Sequence, residues 1–323
     1  MKKNIRLFIL VIFMNVVHCF GKKNLDFLFP DIVPRDSCTL FILPSAFNRF
    51  SVRDFALSPN KDELFFTVEG NKNTFSSIIR MTKNKGKWDM ALAPFCGNHS
   101  DIEPSFSADG NSLYFVSNRP ITKDGDLKDY DIWRVKKING IWSFPENMGE
   151  PVNTSANEFY PAIATNGNIY YTASYKNSKG KEDIYESKLV NGKYTTAESL
   201  SDSVNSLLYE FNAFVAPDES YIIFTSFGRT DDMGGGDLYI SKKDNNGNWM
   251  KAKNLGEKIN SPFLDYCPSV SLDKKFFVFT SDRTNTQKSY TKKLTVDTFL
   301  KEIGQLQNGK GNLYWIDADE VLK

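Results

Sequence analysis

The stretch DIEPSFSADGNSLYFVSNRP, residues 101–120, returns in altered form along the chain. It recurs as EFYPAIATNGNIYYTAS from Glu158, EFNAFVAPDESYIIFTS from Glu210 and DYCPSVSLDKKFFVFTS from Asp265, with a weaker copy, VRDFALSPNKDELFFTV, from Val52. Successive copies lie 49, 57, 52 and 55 residues apart. A near-constant period of about fifty, built from strand-forming residues, restricts the chain to a repeat architecture and points first to a β-propeller.

Each copy carries four strand signals. A short run follows the leading acid, as in Pro104 to Ser107, then a turn of the Ala-Asp-Gly type, then a second strand such as Leu113 to Ser117. The third strand opens Asp131-Ile132-Trp133, Asp183-Ile184-Tyr185, Asp237-Leu238-Tyr239 and, altered, Asn312-Leu313-Tyr314. A Gly-x-Trp/Tyr motif, at Trp88, Trp142, Tyr194 and Trp249, starts the fourth, and an Asn ends each unit at Asn98, Asn153, Asn205 and Asn260. The reading is therefore an all-β propeller of five four-stranded blades, six being the alternative count. The last blade lacks its outer strand, while the run CTLFIL, Cys38 to Leu43, precedes the first blade unpaired. This N-terminal run is expected to supply the missing strand and close the ring, since propellers leave no long open edge. One short helix is expected in LTVDTFLKEIGQLQNG near the C-terminus, with Phe299, Ile303 and Leu306 on a face that covers the ring.

Three regions follow: a signal peptide over 1–21, a linker over 22–37 and a single propeller domain over 38–323. Lys2, Lys3 and Arg6 precede an apolar run, Leu7 to Val17, too short to span a bilayer, so the segment reads as a secretory leader cleaved near Cys19 to Gly21. Cys19 as a lipidated cysteine is the alternative, and on the charge balance a membrane is a partner only in that case. Forty basic residues balance thirty-nine acidic ones, which removes the footprint that nucleic acid requires. Cys38, Cys96 and Cys267 are odd in number and form no CxxC, so neither a zinc site nor a disulfide framework is signalled.

The set EPSFSADGNSLYFVSNR, DIWRV, GIWSFPENMGEPVN and GNLYWIDADEV resembles the TolB-like, WD40-like propeller repeats of bacterial cell-envelope proteins. The resemblance covers nearly all of the chain beyond the leader. It implies a binding platform secreted to the periplasm or cell surface, a monomer whose partner is an envelope protein or peptide segment, with a glycan as a further option.

Candidate site residues were sought in the repeat and in its departures. The leading acids Asp101, Glu158, Glu210 and Asp265 are equivalent by position and are expected near the channel mouth, where they either form a binding ring or pair with Arg119, Arg229 and Arg283 after the second strand. Two insertions, residues 120–131 and 228–237, are candidate recognition loops. The first holds Asp124, Asp126, Asp129 and Asp131 at spacings that could wrap calcium, without a closing Glu. No cofactor is called for. Past the leader His99 is the one histidine, and no Gly-x-Ser-x-Gly elbow occurs. The expectation is thus a non-catalytic module. The alternative is a carbohydrate-active or carbohydrate-binding propeller, with Glu158 and Glu210 as the carboxylate pair to test.

Overall fold

The five repeats form five blades of a β-propeller in the computed structural model, which describes residues 33–71, 74–122 and 125–323. The leader and the lipidation candidate Cys19 lie outside the described residues. The innermost strands of blades 1 to 5 are Ser51–Leu57, Asp101–Phe106, Glu158–Ile163, Tyr209–Val215 and Asp265–Val270. Each pairs antiparallel with a second strand, and that strand with a third. The ring closes as expected: Thr39–Leu40 is the outer strand of blade 5, placing Thr39 opposite Trp315 and Leu40 opposite Tyr314.

Five apolar cores lie between the blades. Phe41, Phe55, Trp88, Phe276 and Trp315 pack together where the last blade meets the first, and Phe65, Phe115, Trp133 and Trp142 where the first meets the second. The other three junctions are filled the same way, with Tyr170, Tyr171, Phe224 and Phe277 among the fully buried rings. Sheets buried on both faces explain the near-continuous apolar runs of the second strands, such as FFVFTS, Phe276–Ser281.

The repeated polar residues hold the frame. Asn153 accepts from Ile132 N at 2.9 Å and donates to Ile132 O at 2.9 Å, and Asn205 with Ile184 and Asn260 with Leu238 make the same two-point bridge. Asp131, Asp183 and Asp237 take hydrogen bonds from Asn147, Ser199 and Asn254 of the adjoining outer strands. The repeated Asn and Asp side chains are buried and hydrogen-bonded, Asp237 through Oδ2 alone, which is why the sequence repeats them.

Two details differ from the sequence reading. In blades 2 to 4 the outer strand is two residues long, at Glu146–Asn147, Glu198–Ser199 and Lys253–Asn254, and the Trp142 and Tyr194 motifs sit in separate short hairpins before it. The helix, Val296–Gly304, does not cover the ring with its apolar face. None of its residues is buried.

Candidate functional site in the channel

All four leading acids have no exposed surface. Asp101 pairs with Arg119 at 2.6 Å, Glu210 with Arg229 at 2.9 Å and Asp265 with Arg283 at 3.1 Å. Each arginine also donates to a backbone carbonyl ahead of its blade: Phe95, Val204 and Ile259 respectively. Glu158 has no arginine and takes hydrogen bonds from Tyr175 Oη and Thr154 Oγ1, both at 2.7 Å. Buried charges are tolerated where they are paired, and these pairs tie blade to blade. The Glu158 and Glu210 pair expected for glycosidic chemistry is therefore enclosed and does not reach a ligand.

A second ring lies two residues further on. Asp54, Glu103, Tyr160, Asn212 and Cys267 occupy that position in the five innermost strands, each at a β-bulge and each with positive φ, between 50° and 61°. For residues with a side chain this left-handed backbone is costly, and bulges re-aim side chains. Here they are aimed at one another. Glu103 N donates to Asp54 Oδ2 at 3.1 Å, Tyr160 N to Glu103 Oε2 at 2.6 Å, and Cys267 Sγ to Asn212 Oδ1 at 3.6 Å. Thr67, Thr172 and Thr280 of the second strands accept from the backbone N–H groups of Glu103, Asn212 and Asp54, so the bulges leave these donors satisfied.

Arg53 lies across this waist. Its guanidinium donates to Glu103 Oε1 at 2.6 Å, Asp54 Oδ1 at 3.1 Å and Glu69 Oε1 at 3.4 Å, approaches Cys267 Sγ at 3.3 Å and lies over the Tyr266 ring. Burial, the largest influence, holds the Glu103 carboxyl up at about 7; Arg53 opposes it and Asp54 adds to it.

Two hollows meet at Glu103. One mouth is apolar, about 100 Å³, and rimmed by Pro104, Pro161, Pro217, Pro268, Phe55 and Phe214. The other is a cleft of about 330 Å³ that mixes rings with charge: Tyr130, Phe159, Phe211 and Tyr266 beside Arg53, Glu69, Glu103 and Glu182. Glu182 makes no side-chain hydrogen bond among the described residues, and burial raises its pKa. Asp282, near Tyr266, is pushed up to about 6 by burial first and Glu69 second.

The described calcium candidates, Asp126, Asp129 and Asp131, form no metal cluster. Asp124 lies outside the described residues, Asp126 is exposed, and the Lys128 ammonium sits between Asp129 at 2.5 Å and Asp131 at 2.8 Å. Among the described residues no group of three or more acids, histidines or cysteines is placed to hold a metal. The glycines of the second insertion pack against the next blade: a Cβ on Gly234 would lie 2.3 Å from Pro262 O. The waist ring was missed because its members share no residue type. No signal in the phrase sets the position apart, since its neighbours vary as well.

No family model and no curated protein matches the chain. Solved structures do match. The catalytic domain of the Coprinopsis cinerea GH62 α-L-arabinofuranosidase aligns at a TM-score of 0.53 and 12% identity, over 88% of this chain and 97% of that one. TolB from Acinetobacter baumannii aligns at 0.47 and 14% identity over 83% of this chain, which spans 55% of that one. The GH43 endo-arabinanase from Bacillus licheniformis aligns at 0.45 and 14% identity over 83% of this chain and 93% of that one. The shared property is the β-propeller scaffold, and no single family is singled out. The expectation of a non-catalytic module is overturned. The GH62 arabinofuranosidase match is a whole catalytic domain with this propeller scaffold.

Proposed function

We propose that the protein acts on carbohydrate at the polar mouth of its channel. The observation that carries the reading is the waist ring. Its position holds Asp, Glu, Tyr, Asn and Cys in the five blades, keeps a left-handed backbone in all five, and lines the two hollows through Glu103, Tyr160 and Asn212. The cleft above it offers flat apolar rings for sugar faces and carboxylates for ring hydroxyls or a glycosidic oxygen.

In this reading Glu103 and Glu182 form the acid and base pair. Burial favours the protonated form of Glu103, the form that gives a proton to a leaving oxygen. Glu182, without a hydrogen-bonding partner, is free to activate water or attack. Arg53 orients the Glu103 carboxyl and neutralises it once the proton has gone. The matching arabinofuranosidase domain supports the reading as a scaffold that carries glycoside hydrolysis, and the leader expected at residues 1–21 suits a domain that meets extracellular glycan.

The test uses the native protein with Glu103→Gln and Glu182→Gln against aryl furanosides and pyranosides and a set of plant and microbial oligosaccharides, following release by absorbance and binding by calorimetry. The expected result is turnover or binding by the native protein, with turnover reduced about 10²–10⁴-fold in Glu103→Gln. Absence of both turnover and binding overturns the reading, and unchanged turnover in Glu103→Gln removes the residue from the acid role.

A further inference from the structure

Helix Val296–Gly304 presents its apolar stripe outward. Val296, Phe299, Leu300 and Ile303 share one face at i, i+3, i+4 and i+7, and are 72%, 49%, 55% and 44% exposed. Polar contacts hold the helix instead. Thr295 and Thr298 form a reciprocal cap, Asn308 Nδ2 donates to Ile303 O at 2.9 Å, and Tyr290 Oη donates to Glu302 at 3.3 Å. A helix at the surface of a soluble domain normally turns such a stripe to the core, and one turned outward marks a surface that something else covers.

The surrounding charge says what. Lys288, Lys292, Lys293 and Lys301 are exposed and form no ion pair among the described residues, and Lys310 joins them, its ammonium bonded to the Arg49 carbonyl. Two carboxylates share the segment, Asp297 and Glu302, and Glu302 is turned to Tyr290. In a chain whose total charge is +1, residues 288–310 thus carry five lysines against two carboxylates, on both sides of the apolar stripe in sequence. Leu306 and the half-exposed Phe50 line a hollow beside it, which extends the apolar surface. A second copy of the chain would bring this lysine collar against itself.

We propose that this face seats on an anionic lipid surface, with the apolar side chains entering the acyl boundary and the ammonium groups meeting headgroup phosphates. A helix of nine residues gives reversible association, not an anchor. The near-zero net charge hides the site because the lysines are balanced elsewhere on the molecule.

Co-sedimentation with mixed phosphatidylglycerol–phosphatidylcholine vesicles, against pure phosphatidylcholine vesicles, tests the proposal. The native protein should bind the anionic vesicles at least about tenfold more tightly, and lose that preference at high salt. Phe299→Ser with Ile303→Ser should abolish binding, and Lys292→Glu with Lys293→Glu should reduce it about tenfold. These positions are exposed, and an unchanged urea midpoint verifies that each variant is folded. No binding, or equal binding to both vesicles, overturns the proposal. So does self-association in light scattering that the serine variant removes while the native protein ignores vesicles.

Discussion

Arg53 takes three carboxylates, a thiol and an aromatic ring as neighbours in the middle of the channel, and Glu103 shares its burial. The consequence is a pH dependence of known sign. The folded chain keeps the Glu103 proton up to about 7, whereas the unfolded chain releases it near the ordinary value of 4.5. Between these values the native state binds more protons than the unfolded state, so stability falls as pH rises through the window and levels off above it. Glu103→Gln cannot titrate. The difference in melting temperature, native minus Glu103→Gln, should therefore decline from pH 4.5 to 7 and stay flat from 7 to 9. A flat difference throughout would show that Glu103 is ionised in the fold at all these values. The leading acids were legible in the sequence because four of the five blades carry the same group at the same place. Asp54, Glu103, Tyr160, Asn212 and Cys267 were not, because they share no residue type, and variation in a repeat reads as an unconstrained surface.

The second strand of each blade follows from the sequence because both its faces are buried, which leaves an apolar run bounded by turns. The outer strands are less legible. A two-residue pairing such as Glu198–Ser199 has no periodicity to detect. Periodicity also found the helix Val296–Gly304 but not its orientation, since a stripe at helical spacing says which residues share a face and not what the face meets. The insertion at Gly228 to Asp237 raises the converse problem: it reads as a free loop, yet its glycines are spacers. Gly234 and Gly235 lie where a Cβ would be 2.3 Å from Pro262 O and 2.7 Å from Leu264 N. Both obstacles are backbone, so the chain itself must move. Gly234→Ala should cost about 1–3 kcal/mol in urea unfolding. Gly304→Ala, at the end of the helix with nothing within 4 Å, should be neutral or slightly stabilising. Equal costs at the two positions would mean that the seam between blades 4 and 5 relaxes freely.

At the scale of the molecule, the ring is one cooperative object because the two ends of the chain meet in one sheet. This was legible from a strand missing at one end and a spare run at the other. The polar cleft at one mouth was not, since the residues that line it come from five segments about fifty apart, and no local pattern joins them. The closing strand is short, Thr39–Leu40, but its neighbour Phe41 is buried against Phe55 and Trp315, at ring separations of 5.2 and 6.0 Å, and its N–H donates to Leu313 O at 2.9 Å. Deleting residues 33–43 would uncover the edge of Asn312–Asp317 together with the core between blades 5 and 1. Losing Phe41 alone removes a packed aromatic side chain worth about 3–5 kcal/mol, a large share of a typical domain's stability of about 5–15 kcal/mol. The deletion should lower the melting temperature sharply, broaden the transition and produce concentration-dependent association through the exposed edge. Phe41→Ala, which keeps the backbone pairing, should lower the midpoint while leaving the transition sharp and the protein monomeric. If the deletion variant instead unfolds as sharply as Phe41→Ala, packing rather than pairing closes the ring, and the propeller's cooperativity comes from the interblade cores alone.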